Sequence, residues 1–242
     1  MTSKKLTINE NFWLNFSKVY KKPSLVNKYL TDCSDEIEAV IVKNFNELGL
    51  SSEYSIYANG GFGRKEIFPS SDVDLSIVQH NKNIKNTENL ERFIAKLWDS
   101  GLKVGHSVRT IQDIKKVAGN DPVEFTSYLT RRSLVTNSLI DIKMNDVLSK
   151  AWGKRKFFNA KHDEQERRYE SFFSTQYNLE PDLKESPGTL RDFQTALWIL
   201  QHCFGMNDYK DIKKSKEFAD QIDSAIESYD FIKAMRFATN IT

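Results

Sequence analysis

A chain of 242 residues with 39% hydrophobic and 28% charged side chains has the composition of a folded protein, with room for one large domain or two small ones. Its 35 basic and 33 acidic residues leave a formal net charge of +2, too balanced for charge alone to imply a nucleic-acid or membrane partner. No apolar run approaches the roughly 20 residues that cross a bilayer, the lysine-bearing N-terminus lacks the apolar stretch of a secretory signal, and Cys33 and Cys203 lie far apart with no CxxC pair, which argues against zinc and for buried thiols in a reducing cytoplasm.

The first fifty residues read as helical. Ile37, Val40, Ile41, Phe45 and Leu48 recur at helical spacing, and Gly49 closes the helix. Tyr54 to Ala58 is a short β-prone run that meets Gly60-Gly61. Val73 to Val78 is a second, with Val73, Leu75 and Ile77 alternating against Asp74 and Ser76. Leu90, Phe93, Ile94, Leu97 and Trp98 form an amphipathic helix that Gly101 ends, and Leu102 to Thr110 reads as a third strand. Beyond about residue 145 the strand signals fade. Lys154 to Ser174 is a long polar helix, Leu190, Phe193, Leu197 and Leu200 share one helical face, and Ser215 to Asn240 is helical. The expected architecture is α/β (α+β): N-terminal helices and a small mixed sheet over residues 1–145, then a helical domain over 146–242.

Asp72 and Asp74 carry the strongest chemical signal. Alternate residues of a strand share a face, and two carboxylates there repel unless neutralised. Mg²⁺ does this with one or two carboxylates plus substrate phosphates, although a lone Asp-x-Asp is equally an exposed strand face. Gly60-Gly61 sharpens the reading, because glycines after a strand let backbone amides approach a phosphate, and Arg64 adds a two-pronged phosphate partner. The ten residues Phe62 to Ser71 leave room for a short helix and a return that brings glycines and acids to one end of the sheet. Gly60, Gly61, Gly63, Arg64 and Ser71 are thus the nucleotide-binding candidates of this segment.

Arg109, at the end of the third strand, faces either the triphosphate or solvent, and His106 is either a structural or a catalytic histidine. Asp141 is the candidate third catalytic carboxylate, whereas Asp113 reads as an acid in the first turn of a helix. Thr189 and Asp192 have capping-box spacing. Lys184 and Arg191 gather two cations around a Pro-Gly loop at a helix start, as a nucleotide contact or as packing, and Leu197 and Trp198 are core residues. None of His80, His106, His162 and His202 pairs at metal-ligand spacing.

A glycine pair followed a dozen residues later by Asp-x-Asp on a strand resembles the nucleotidyltransferase fold of DNA polymerase β. GGFGRKEIFPSSDVDLSIV resembles more closely the PII uridylyltransferase family, GlnD, as do GLKVGHSVRT at 101–110, the KFF, EQ and RY residues of the long helix, and YNLEPDLKESPGTLRDFQTALWI at 177–199. The resemblance runs from about Tyr54 to Phe204. Two positions depart from the usual pattern: Lys65 and Thr189 stand where the family has glycine. The resemblance implies transfer of UMP from UTP to a tyrosine of the PII signal protein, with Asp72 and Asp74 holding Mg²⁺. It also implies HD and ACT domains beyond this region, for which this sequence shows no spaced His/Asp ligands. A nucleotide-binding regulatory module of the same fold, or transfer to another acceptor, are the alternatives.

Overall fold

The computed structural model describes residues 23–69, 71–81, 87–174 and 182–240. The N-terminal residues 1–22, part of the expected helical start, lie outside them. The described chain divides into two compact units, one of residues 28–151 and one of residues 152–240 with 23–27.

The first unit contains α1 (Pro23–Glu47, from Lys28), β1 (Tyr54–Ala58), a short helical turn α2 (Gly60–Gly63), β2 (Val73–Gln79), α3 (Glu88–Asp99), β3 (Val104–Thr110), α4 (Ile111–Asn120), α5 (Pro122–Leu129), β4 (Arg132–Val135) and α6 (Ser138–Ser149). The strands form one mixed sheet in the order β3-β2-β1-β4. β1 runs antiparallel to both β2 and β4, and β2 runs parallel to β3, with α3 as the crossover that a parallel pair requires.

Ile37, Ile41 and Phe45 of α1 are buried, and Gly49 ends that helix with the left-handed φ of 67° expected of a helix-closing glycine. Ile56, Val73, Leu75 and Ile77 meet this helix and Phe93, Ile94 and Leu97 of α3 in one apolar cluster. Phe45 and Phe93 pack edge to face with centroids 5.4 Å apart. Cys33 lies in the same cluster, and burial pushes its thiol up to about 11. Gly101, at φ 81°, follows α3 as expected.

Two burial expectations differ from the structure. Trp98, read as part of the buried face of α3, is 55% exposed. Conversely, Ser76 is buried, although alternation set it on the exposed face of β2. The reason is that both faces of the sheet are covered. Ser55, Tyr57, Ser76 and Val78 face a second layer, to which the Asn137 amide donating to Ser55 and the Tyr57 hydroxyl donating to Asp141 belong. On β2, within this doubly covered sheet, only Asp74 is exposed.

The second unit is helical: α7 (Lys154–Ser174), α8 (Leu190–Ile199) widening into a π turn over Leu200–Phe204, α9 (Tyr209–Lys213) and α10 (Ala219–Thr239). The buried face of α8 is Leu190, Gln194, Thr195 and Trp198, while Phe193, Leu197 and Leu200 are half-buried. Lys161 of the polar helix α7 is 1% exposed, held by Glu164 at 2.6 Å and lying 4.5 Å from the Trp198 ring centre, which offsets part of the cost of burying a cation.

Phe93→Ala, which empties a fully buried site between α1 and α3, is expected to lower stability by about 3–5 kcal/mol, read from chemical denaturation. A loss below about 1 kcal/mol would mean that Phe93 does not anchor this layer.

Candidate active site

β1 delivers the chain to Asn59, whose amide donates to the Asp74 carbonyl at 2.9 Å and whose side-chain amide donates to the Ser76 hydroxyl. Asn59 therefore ties the glycine turn to the acid-bearing strand twice. Gly60 follows with φ 55°, a left-handed conformation that disfavours any side chain. A Cβ built on Gly60 would also lie 2.9 Å from Asp74 Oδ2, and one on Gly105 would lie 2.9 Å from Asp74 Oδ1. The Asp74 carboxylate is thus seated between two glycines on neighbouring strand ends. Asp72, two residues earlier and exposed, falls on the same side by strand alternation.

The remaining residues of the turn are accounted for locally. A Cβ on Gly63 would meet the Thr130 carbonyl at 2.7 Å and the Ala58 carbonyl at 2.9 Å, so Gly63 permits close backbone packing. A Cβ on Gly61 would come within 3.1 Å of the Glu66 carbonyl. Arg64 is ion-paired with Glu66 at 2.9 Å, and the Ser71 amide donates to the Phe68 carbonyl just ahead of the acids. Arg132, which the sequence did not single out, donates to the carbonyls of Phe62 and Gly63 at 3.2 Å and pairs with Glu38. It fastens the end of the glycine turn to β4 and α1.

Lys65, at the position where the resembled family has glycine, adopts φ 59°, the only described non-glycine residue with positive φ. Its ammonium pairs with Asp35 at 2.7 Å. The turn keeps a glycine-like backbone without the glycine.

The other candidates are placed as follows. Arg109 shares the Asp74 side of the sheet, but its guanidinium pairs with Glu124 at 2.5 and 3.0 Å and donates to the Tyr128 hydroxyl at 2.8 Å. The hydrogen bond to Glu124, foremost, raises its pKa. Asp141 stands in the first turn of α6 and accepts from the hydroxyls of Tyr57 and Thr136 at 2.8 Å and of Ser133 at 3.4 Å. The structure joins it to β1 and β4, and the residue opposite Asp74 on β3 is Gly105. Asp113 completes a capping box with Thr110 at the start of α4. His106 is exposed, tilted 6.0 Å from the Trp98 ring.

In the second unit, Arg191 pairs with Glu185 at 2.8 Å and lies 5.5 Å from the Trp198 ring centre, and Lys184 reaches Glu185 at 3.6 Å. Asp192 accepts from Arg168, Tyr169 and Gln165 of α7 and from the Gly188 amide. Thr189 is the N-cap of α8 but makes no side-chain cap; its hydroxyl donates to the Ser186 carbonyl. The Thr189–Asp192 capping box is therefore not formed. Burial pushes the Asp192 carboxyl up, yet these donors hold it below the usual carboxylate range.

The metal that the fold family implies suits the acid pair. Both carboxylates are exposed, Asp74 on β2 and Asp72 just ahead of it, and no side chain rises from Gly60 or Gly105 beside Asp74. Among the described residues no group of three or more His, Cys, Asp or Glu forms a complete cage. Two carboxylate donors, with the rest supplied by phosphate and water, is the set Mg²⁺ takes.

Comparison with known proteins bears on this geometry. Residues 156–240 match the family model described as GlnD PII-uridylyltransferase. A bifunctional uridylyltransferase/uridylyl-removing enzyme of Haemophilus influenzae (strain PittEE) is 38% identical over 214 residues, 86% of this chain and 25% of that protein. The enzyme so named in Hydrogenovibrio crunogenus is 33% identical over 233 residues, 95% of this chain and 26% of the relative, and that of Nitrosospira multiformis is 37% identical over 178 residues, 70% and 20%. The chain is thus similar, over 70–95% of its length, to proteins bearing the uridylyltransferase name. It spans about a quarter of the length of the relatives it matches. No helix among the described residues is long and apolar enough to cross a membrane.

Lys65 yields a test of the turn. Lys65→Gly and Lys65→Ala both remove the ion pair with Asp35, but only glycine is at ease at φ 59°. The glycine variant should be the more stable of the two by about 0.5–1 kcal/mol, once its greater unfolded-state entropy is set against the strain relieved. Equal melting temperatures would mean that the turn relaxes out of the left-handed conformation.

Proposed function

We propose that this chain is a nucleotidyltransferase that moves UMP from UTP to a tyrosine hydroxyl of the PII signal protein. The observation that carries the reading is the Asp74 carboxylate seated between Gly60 and Gly105, with Asp72 beside it, in a chain whose relatives bear the uridylyltransferase name.

In this reading the acceptor hydroxyl oxygen bonds to the α-phosphorus of UTP as the bond from that phosphorus to the bridging oxygen breaks. Pyrophosphate leaves with the electron pair, and the hydroxyl proton passes to a carboxylate of the pair or to water. Asp72 and Asp74 would hold Mg²⁺, which when bound neutralises the charge on the entering and leaving oxygens. The amides of Gly63 and Arg64 are used inside the turn, on the carbonyls of Asn59 and Gly60, leaving those of Gly60 and Gly61 at its open start to approach phosphate oxygens. Asn59 and Arg132 hold this turn against β2 and β4, so the chain's contribution is placement of the triphosphate against the acids. Arg64 and Arg109 are paired with Glu66 and Glu124, so a phosphate bound by either would share the guanidinium with that carboxylate.

Asp72→Asn and Asp74→Asn keep shape and remove charge. Each should cut UMP transfer to purified PII protein by at least about 100-fold with the melting temperature unchanged. Turnover near that of the wild type in Mg²⁺ would remove the residue from the reaction. Gly105→Ala should act in the same direction without unfolding the strand, because its Cβ would meet Asp74 Oδ1 at 2.9 Å. Full transfer by this variant would show that the carboxylate need not be seated where it lies.

A further inference from the structure

Strand β3 is the outer strand of the sheet, next to the strand that carries the acids. The Val73 amide donates to the Lys103 carbonyl at 2.8 Å, and a parallel ladder alternates. Lys103, Gly105, Ser107 and Arg109 therefore turn their backbone groups to β2, while His106 and Val108 turn theirs to the open edge. Exposed edges are ordinarily blunted by lysine, proline, a bulge or a covering segment. The stretch Val104–Thr110 contains no lysine or proline, and its register with β2 runs unbroken through Thr110. Its one cation, Arg109, is turned inward to Glu124.

This edge also has an apolar rim. Trp98 is 55% exposed and Val108 41%, and His106 lies 6.0 Å from the Trp98 ring. The Trp98 indole nitrogen lies 3.5 Å from the Val104 carbonyl, which places the ring beside the start of the strand. An aromatic beside the start of a strand whose edge the described residues leave without lysine or proline suits an extended peptide, which needs alternating backbone partners and a pocket for alternate side chains.

We propose that β3 receives an extended segment of the acceptor protein as an added strand and that this segment carries the hydroxyl to be modified. Gly105 connects the edge to the chemistry. It is paired with Asp74, and its lack of a side chain leaves the space between the edge and that carboxylate open. A strand added to β3 lies two strand spacings, about 10 Å, from β2. A side chain opposite Gly105 on the Asp74 face of the added strand rises beside the open position at Gly105, and a tyrosine leaning over that position is long enough to cover most of the distance. The chemistry rests on the transferase reading, while the docking is measurable apart from it.

The test uses the full chain, purified PII protein, and two variants of the edge. His106→Pro removes an outward N–H at an edge position where proline is tolerated, and Val108→Lys adds a charge to the rim. Both should raise the KM for PII at least tenfold, with the KM for UTP and the melting temperature unchanged. Should His106→Pro unfold, Val108→Lys and Trp98→Ala decide by the same measure. In parallel, amide hydrogen exchange is followed on the Asp74→Asn variant as PII is added, and the His106 and Val108 amides should become protected. Transfer by the wild type with no protection of these amides and unaltered KM for PII in the edge variants would overturn the docking and leave the transferase reading standing. Protection without transfer would do the reverse. Neither transfer nor protection would end both. Protection that grows with the chain's own concentration, without PII, would assign the edge to a second copy and overturn the proposal.

Discussion

The close approach of the Asp74 carboxylate to the backbone at Gly60 and Gly105 is the contact on which the placement of the acid pair depends. It cannot form if either position carries a Cβ, and it cannot persist unless the turn after β1 stays against the start of β2. Asn59 secures that approach from below, by a backbone bond to Asp74 and a side-chain bond to Ser76, both within the closed interior of the sheet. Arg132 secures the turn's far end through two carbonyls and Glu38. The carboxylate is exposed, whereas Asn59 and Ser76, which tie the turn to its strand, are buried.

That division follows from covering the sheet on both faces. β1 is buried at all five positions and β2 at Val73, Leu75, Ser76, Ile77 and Val78. Polar groups in such strands need partners, and Ser55, Tyr57 and Ser76 find theirs in His80, Asp141 and Asn59. Burial and hydrogen bonding to Asp141 together raise the Tyr57 phenol well above its ordinary pKa. Asp141 accepts from this second layer and so joins β1, β4 and α6.

Much of this was readable from residue order alone. Strands β1 to β3, the closing glycines at 49 and 101 and the long helix α7 follow from periodicity and turn chemistry, because each is local. What escaped were features set by distant partners. β4 is four residues long and has no pattern of its own; it exists because β1 offers a second edge. Trp98 looked like core from its spacing on α3, yet its neighbour is the outer strand. Asp121-Pro122, which starts α5, is by contrast a local and legible cap signal. Gly105 was a glycine inside a strand, a pattern that marks close approach, but only the fold reveals that the approaching group is Asp74.

The pairing of β4 with β1 has a consequence for how the chain is made. Tyr57 pairs with Ser133 and Ala58 with Arg132, so the strand that precedes the glycine turn finds its second neighbour only some seventy-five residues later. Closing so long a loop costs entropy before the contact returns anything. On a ribosome, α1, β1, β2 and β3 can assemble as they emerge, but the arginine that clasps the turn is still inside the exit tunnel. The acid pair therefore reaches its final placement late, when most of the unit has already been synthesised.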